Sequence, residues 1–191
     1  ISLVQVAEGA MNEVSSILIR LRELAVQAAS DTIGPVERQF LNVEYDQLVS
    51  EVDRVAEGTE FNGTQLLAGV GSILDFQVGT RNNPEIDRIS FDASKADANS
   101  AALGINLTSV ADKASAQNAL SSIDTAIVSV SAMRADFGAI QNRLQSTISN
   151  LQVNVENMSA ANSRIRDVDV AEETSEMTRN NILLQAGTSV L

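Results

Sequence analysis

Five patterns in this chain carry residue types that could do chemistry. The acidic stretch "DVDVAEE" (167–173) could ring a cation. It lacks the glycine and the alternating oxygen ligands of a calcium loop, so it reads as a solvated face or the start of a helix. The two glycines of "GVGS" (69–72) could cradle a phosphate, but without the G-x-G-x-x-G spacing after a strand they read as a turn. Glu37, Glu44 and Glu51 recur at period seven and put three carboxylates in a row on one helix. No pocket of buried ionisable groups can be inferred to activate them for acid–base work. Asn62, Asn106 and Asn157 stand in N-x-S/T triplets, a coincidence in a helix-rich chain. Finally, "RLRELAVQ" (20–27) sets Arg20 and Gln27 at one heptad position, with Glu13 one repeat earlier. On pattern alone that line of polar groups reads as a solvated face.

The missing residue types narrow the chemistry further. There is no His, which removes the usual general base and the commonest metal ligand. H-E-x-x-H zinc sites and Ser-His-Asp triads are ruled out. There is no Cys and hence no disulfide. The chain therefore reads as a non-enzyme without a cofactor. Against 25 Asp and Glu stand only 13 Lys and Arg, a net charge of −12. Nucleic-acid binding needs a basic patch to displace counterions, so no nucleic-acid partner is expected. No stretch of about 18 apolar residues exists to span a membrane. The sequence opens at Ile1 inside a periodic segment and closes at Val190 and Leu191 inside an apolar run, which suggests a piece of a longer chain.

These groups must be positioned by helices. In residues 1–29, Val4, Ala7, Met11, Val14, Leu18, Leu21, Ala25 and Ala28 alternate in steps of three and four. Leu3, Ala10, Ile17 and Leu24 form a second row at period seven, widening the stripe beyond a two-stranded coil. Ser30, Asp31, Gly34 and Pro35 are stop and turn signals. The spacing of Leu41, Tyr45, Leu48, Val52 and Val55 predicts a second helix over 36–57, with Gly58 as its cap. "LDFQV" (74–78) and "DRISF" (87–91) alternate apolar and polar and predict a β-hairpin; 92–110 reads as an irregular connection.

From about 111 one long helix is expected. Leu120, Ile123, Ile127, Val130, Arg134, Phe137, Gln141, Leu144, Ile148, Leu151, Val155, Met158, Asn162 and Ile165 keep the three–four rhythm. At 1.5 Å per residue that seam is roughly 70 Å long. Arg134, Gln141 and Asn162 either set register or face solvent; the pattern leaves both open. Near "RDVDV" (166–170) the phase slips before a weaker continuation to 190. The predicted fold class is mainly α: an elongated antiparallel helical bundle or coiled-coil rod with a small β-hairpin region. It is expected as one domain over 1–191, with helices at 1–29, 36–57 and 111–165 and a turn-rich hairpin region at 58–110. Aromatic content of only 3% fits such slender seams.

Several stretches resemble one family. "LVQVAEGAMNEV" (3–14), "RLRELAVQAA" (20–29), "EVDRVAEGTEFNGTQLL" (51–67), "FQVG" (76–79), "RADFGAIQNRL" (134–144), "NLQVNVENMSAANSRIRDVDVAEE" (150–173) and "ILLQAGTSVL" (182–191) are similar to bacterial flagellin. The resemblance spans the chain apart from about 80–118. It implies a secreted, extracellular subunit of the bacterial flagellum, exported by the flagellar type III system without a cleaved signal. The implied partners are other flagellin subunits in a homopolymer, flagellar export chaperones and Toll-like receptor 5 of vertebrate hosts. Because the family's polymerising terminal segments are missing or cut short here, the resemblance implies a soluble piece that does not polymerise alone. The short 92–110 connection implies no large outer domain. In the family the R-x-R-E-L-A-V-Q helix is the receptor's epitope, matched here by Arg20, Leu24 and Gln27, with Glu44 of the second helix joining them. Ile19 stands where the family commonly has Gln, and 31–43 also departs from the best-known recognised sequences. Leu24 lies beside the seam as well, so it reads equally as core; Arg20 and Gln27 read equally as a solvated face or a subunit contact. The rivals are a hook–filament junction protein, which shares the terminal helices, and a secreted enzyme or adhesin on a helical stalk.

Overall fold

The heptad rows of the first 29 residues close into one helix, α1 (Ser2–Ala29). In the computed structural model, which describes residues 1–167 and 169–189, all eight residues of the first row are buried, as are Leu3, Ile17 and Leu24 of the second. Ala10 is half-buried. Val168, at the expected phase slip, and Val190 and Leu191, at the apolar end, lie outside the described residues.

Helix α1 stops at Ser30, whose backbone turns extended (φ −72°, ψ 142°). Its last carbonyls need partners. Arg38 supplies them from the next helix, donating from Nε to the Ala28 carbonyl and from Nη2 to the Ser30 carbonyl, each at 2.8 Å. This next helix, α2 (Pro35–Gly58), begins with Pro35, where a missing N–H costs nothing, and carries Glu37 in its first turn. It buries Tyr45, Val52 and Ala56. Leu41, Leu48 and Val55 of the expected stripe are half-buried.

The cap expected at Gly58 is not there: Gly58 is the last helical residue and Thr59 caps, with φ −81°. Left-handed backbone comes four residues later, at Asn62 (φ 54°) and Gly63 (φ 77°). An Asn-Gly pair with positive φ at both positions is the two-residue hairpin turn. It joins β1 (Glu60–Phe61) to β2 (Thr64–Gln65), a short hairpin within the stretch expected to be turn-rich. The predicted second hairpin is present as β3 (Ile73–Gln77) and β4 (Arg88–Asp92), antiparallel, with Leu74 opposite Phe91 and Phe76 opposite Ile89. Between them stands a single helical turn, α3 (Pro84–Asp87), capped by the Asn83 side chain.

The connection before the long helix is irregular, as expected, apart from one 3-10 turn (Ala93–Lys95). It is tied along α2 by side chains. Asp53 accepts from the Ser100 amide at 2.7 Å and from its hydroxyl at 2.8 Å. The Tyr45 hydroxyl meets Thr108 Oγ1 at 2.6 Å. Asn42 Oδ1 accepts from Ser109 Oγ (2.8 Å) and the Val110 amide (2.9 Å). Ala98, Leu103, Ile105 and Val110 drop into the core between these ties.

Asp112 then caps α4 (Lys113–Arg166) by accepting from the Ser115 amide at 2.9 Å. Two compact units divide within this helix, at residues 147 and 148. In the first, α4 buries Ala116, Ala119, Ile123, Ala126, Val130, Phe137 and Leu144, while Leu120 and Ile127 are half-buried. Arg134 sits partly buried, its Nε without a hydrogen-bond partner among the described residues. In the second unit the expected seam is uncovered: Ile148, Leu151, Val155, Met158 and Ile165 are all exposed. The reason is physical, since the rhythm encodes an apolar stripe and not the surface that covers it. The continuation to 190 is also not one helix. Residue Arg166 ends α4, and α5 (Val170–Ser189), which buries nothing, follows.

Candidate recognition face on the first two helices

A five-residue turn makes α1 and α2 antiparallel neighbours, so residues on either side of the turn face each other in pairs. Arg20 falls opposite Glu44. Its Nε and Nη2 both donate to Glu44 Oε1, at 2.9 and 2.7 Å, and Nη1 donates to Glu23 Oε2 at 3.1 Å. The hydrogen bond to Glu44, followed by that to Glu23, raises the guanidinium above its ordinary value. About half of the Arg20 side chain and 44% of Glu44's remain in solvent. Water screens such a pair, so it sets geometry more than stability. Gln27 lies exposed two turns along the same line, beside a shallow groove of about 430 Å³ lined by Ile19, Arg22, Glu23, Val26 and Gln27.

Leu24 does not join them at the surface. It is 1% exposed, packed in the core with Leu21, Ala25 and Ala28. Of the two readings open in the sequence, the structure takes the core one for the side chain itself. The face is thus an Arg20–Glu44 pair with Gln27, laid over Leu24. Sequence reasoning missed Glu23 as the third member, though its i,i+3 spacing from Arg20 was a signal. It also missed Arg22, which donates to Asp124 Oδ1 at 2.8 Å and holds α1 to α4.

The other sequence patterns resolve into structural roles. Glu44 and Glu51 of the carboxylate row are ion-paired, Glu51 with Arg54, and that hydrogen bond holds the Glu51 carboxyl below its ordinary range. Gly69 has φ +65°, and a Cβ there would collide with Asp97, so the first glycine of "GVGS" serves a bend and a close approach of the chain to Asp97. Asp169 of the acidic stretch accepts from the Ala171 amide at 2.9 Å and starts α5. Among the described residues no group of three or more His, Cys, Asp or Glu is placed to hold a metal ion. No helix among them is long and apolar enough to cross a membrane. The face presents directional charge and hydrogen-bonding groups on two packed helices.

Comparison with known proteins points one way. Residues 1–72 match the family described as the bacterial flagellin N-terminal helical region, and residues 120–191 match the bacterial flagellin C-terminal helical region. The chain is 44% identical over 191 residues to a flagellin of Halalkalibacterium halodurans, covering all of this chain and 69% of that protein. It is 40% identical over 222 residues to a flagellin of Bacillus subtilis, covering all of this chain and 72% of that one. A crystal structure of Bacillus cereus flagellin superposes with a TM-score of 0.69 at 32% identity, over 84% of this chain and 90% of that chain.

Proposed function

This chain belongs to the bacterial flagellin family and is a structural subunit of the extracellular flagellar filament, associating with other flagellin subunits; from that premise we propose that the Arg20–Glu44–Gln27 face is the surface read by Toll-like receptor 5. The observation that carries this reading is the Arg20–Glu44 pair, which fixes a cation and an anion side by side in solvent on two packed helices. Leu24 supports the face from beneath and is not itself a contact. The proposal extends to the subunit's other dealings. Before assembly it is carried by flagellar export chaperones, and it performs no catalysis, in keeping with a chain that has no His or Cys.

Binding to the receptor's ectodomain tests the reading. Arg20→Ala and Glu44→Ala should each weaken binding by about tenfold or more, the loss typical of truncating a central charged contact. Their melting temperatures should match wild type, because both side chains are exposed. Undiminished binding by Arg20→Ala would refute the assignment.

A further inference from the structure

At its surface the Arg20–Glu44–Gln27 face is all charge and amide, and its apolar member lies beneath it: Leu24 is 1% exposed. An apolar group that does reach the surface stands on the other helix. Phe40 of α2 is 71% exposed, while the other four of the chain's five phenylalanines are buried or half-buried. Phenylalanine is among the residues most often fully buried, so a ring left in water is the exception in this chain.

Position along the two helices puts that ring within the face. The bonds from Arg20 to Glu44 fix the level of α1 against α2. Four residues back along α2 and four forward along α1, about 6 Å each, bring Phe40 level with Leu24, between Arg20 and Gln27. Around α2, residues four apart differ by about 40°, so Phe40 follows Glu44 along one edge of the helix, turned away from buried Tyr45. Val36 and Val43, each 62% exposed, lie about 80° and 100° from Glu44 and point further outward. Phe40 is therefore the exposed apolar side chain of α2 that adjoins the ion pair.

A single exposed apolar residue is ordinary by itself. This one stands beside two fixed charges on packed helices, and an apolar centre with a polar rim is how protein interfaces are built. Exposed charge pairs give orientation and encounter more than affinity, whereas aromatic side chains dominate interface energetics. We infer that Phe40 is the apolar anchor of the face: its ring enters an apolar pocket of the Toll-like receptor 5 ectodomain, while Arg20, Glu44 and Gln27 meet polar groups at that pocket's edge. The inference rests on the receptor reading and adds the residue that supplies the face with its apolar contact.

Binding kinetics with the receptor's ectodomain, measured over a range of salt, test it. Phe40→Ala should raise the dissociation rate about tenfold and leave the association rate and its salt dependence as in wild type, because no charge changes. Phe40→Leu, which keeps an apolar side chain, should lose less. Both should keep wild-type helicity and melting temperature, since the ring is already mostly in water. Ile86→Ala is the control. Ile86 is 74% exposed on α3, which leads into β4, and Phe91 of β4 stacks on Phe137 of α4. Phe137 is about 20 Å along α4 from Asp124, the partner of Arg22, so Ile86→Ala should bind as wild type. Wild-type dissociation by Phe40→Ala, or an equal loss from Ile86→Ala, would overturn the anchor, and the receptor reading would stand so long as Arg20→Ala binds weakly. Undiminished binding by Arg20→Ala would instead overturn the receptor reading.

Discussion

Replacing Leu24 by Ala separates support from contact. The side chain is 1% exposed, so truncation removes three carbons from a packed interior. At about 0.8 kcal/mol per buried methylene the lost transfer energy is about 2.4 kcal/mol. A residual void of about 50 Å³ would add about 1.2 kcal/mol. The expected destabilisation is thus about 3–4 kcal/mol, inside the range of about 2–5 kcal/mol seen for such truncations. Urea unfolding followed by far-ultraviolet circular dichroism reads it as a lower midpoint at unchanged slope. Leu24→Met, which keeps most of the volume, should cost under about 1.5 kcal/mol. Receptor binding measured well below the variant's melting temperature should be nearly normal for Leu24→Met, whereas Arg20→Ala should lose binding without losing stability. A cost under about 1 kcal/mol for Leu24→Ala would show that Leu24 is not held in the core, and the account of the face as a polar pair over an apolar support would fall.

Two further outcomes are expected. Asp53→Ala removes both acceptors of Ser100, which is only 4% exposed, and should cost about 2–4 kcal/mol, with most of the loss cancelled in a double-mutant cycle with Ser100→Ala; additivity of the two would refute the tie. On acidification the protein should lose stability below about pH 4, since Asp31, held below its ordinary range by the Lys113 hydrogen bond, and Asp112, held down by the Ser115 amide, stabilise the fold only while ionised. Their contribution is complete above the ordinary carboxylate range and disappears as pH falls through the lowered values. Lys113→Ala should flatten the acid limb of a urea-midpoint profile, and an unchanged limb would sink the claim for Asp31.

Periodicity carried the sequence reading a long way. The steps of three and four located α1 and α2 to within a residue or two, and strict alternation located β3 and β4. Such patterns work because a helix or strand with one buried side must repeat its apolar residues at its own period. The same logic failed where the signal was local. Asn62-Gly63 forms a hairpin through backbone conformation, not burial, and the strands it joins are two residues each, too short to show alternation. The seam past Leu144 was legible as an apolar row, yet what covers a row is not written in it. For the candidate face, heptad position put Arg20 and Gln27 outside; it could not decide Leu24, which sits where the stripe widens. The Arg20–Glu44 pairing depended on how tightly the 30–34 turn closes, a property of three dimensions. Nor could spacing have shown that Arg38 caps the preceding helix.

Past Leu144, α4 has no buried side chain among the described residues, and α5 has none. Helices that bury nothing sit close to the balance between ordered and unravelled backbone in water. Any surface that covers Ile148, Leu151 and Val155 selects the ordered form. By mass action it adds about 2.7 kcal/mol when present at a hundred times its dissociation constant. The order of residues 148–166 and 170–189 is therefore a quantity set by concentration. Amide exchange there should slow as subunits crowd together, while the amides of α1 keep the protection that their own core already gives them.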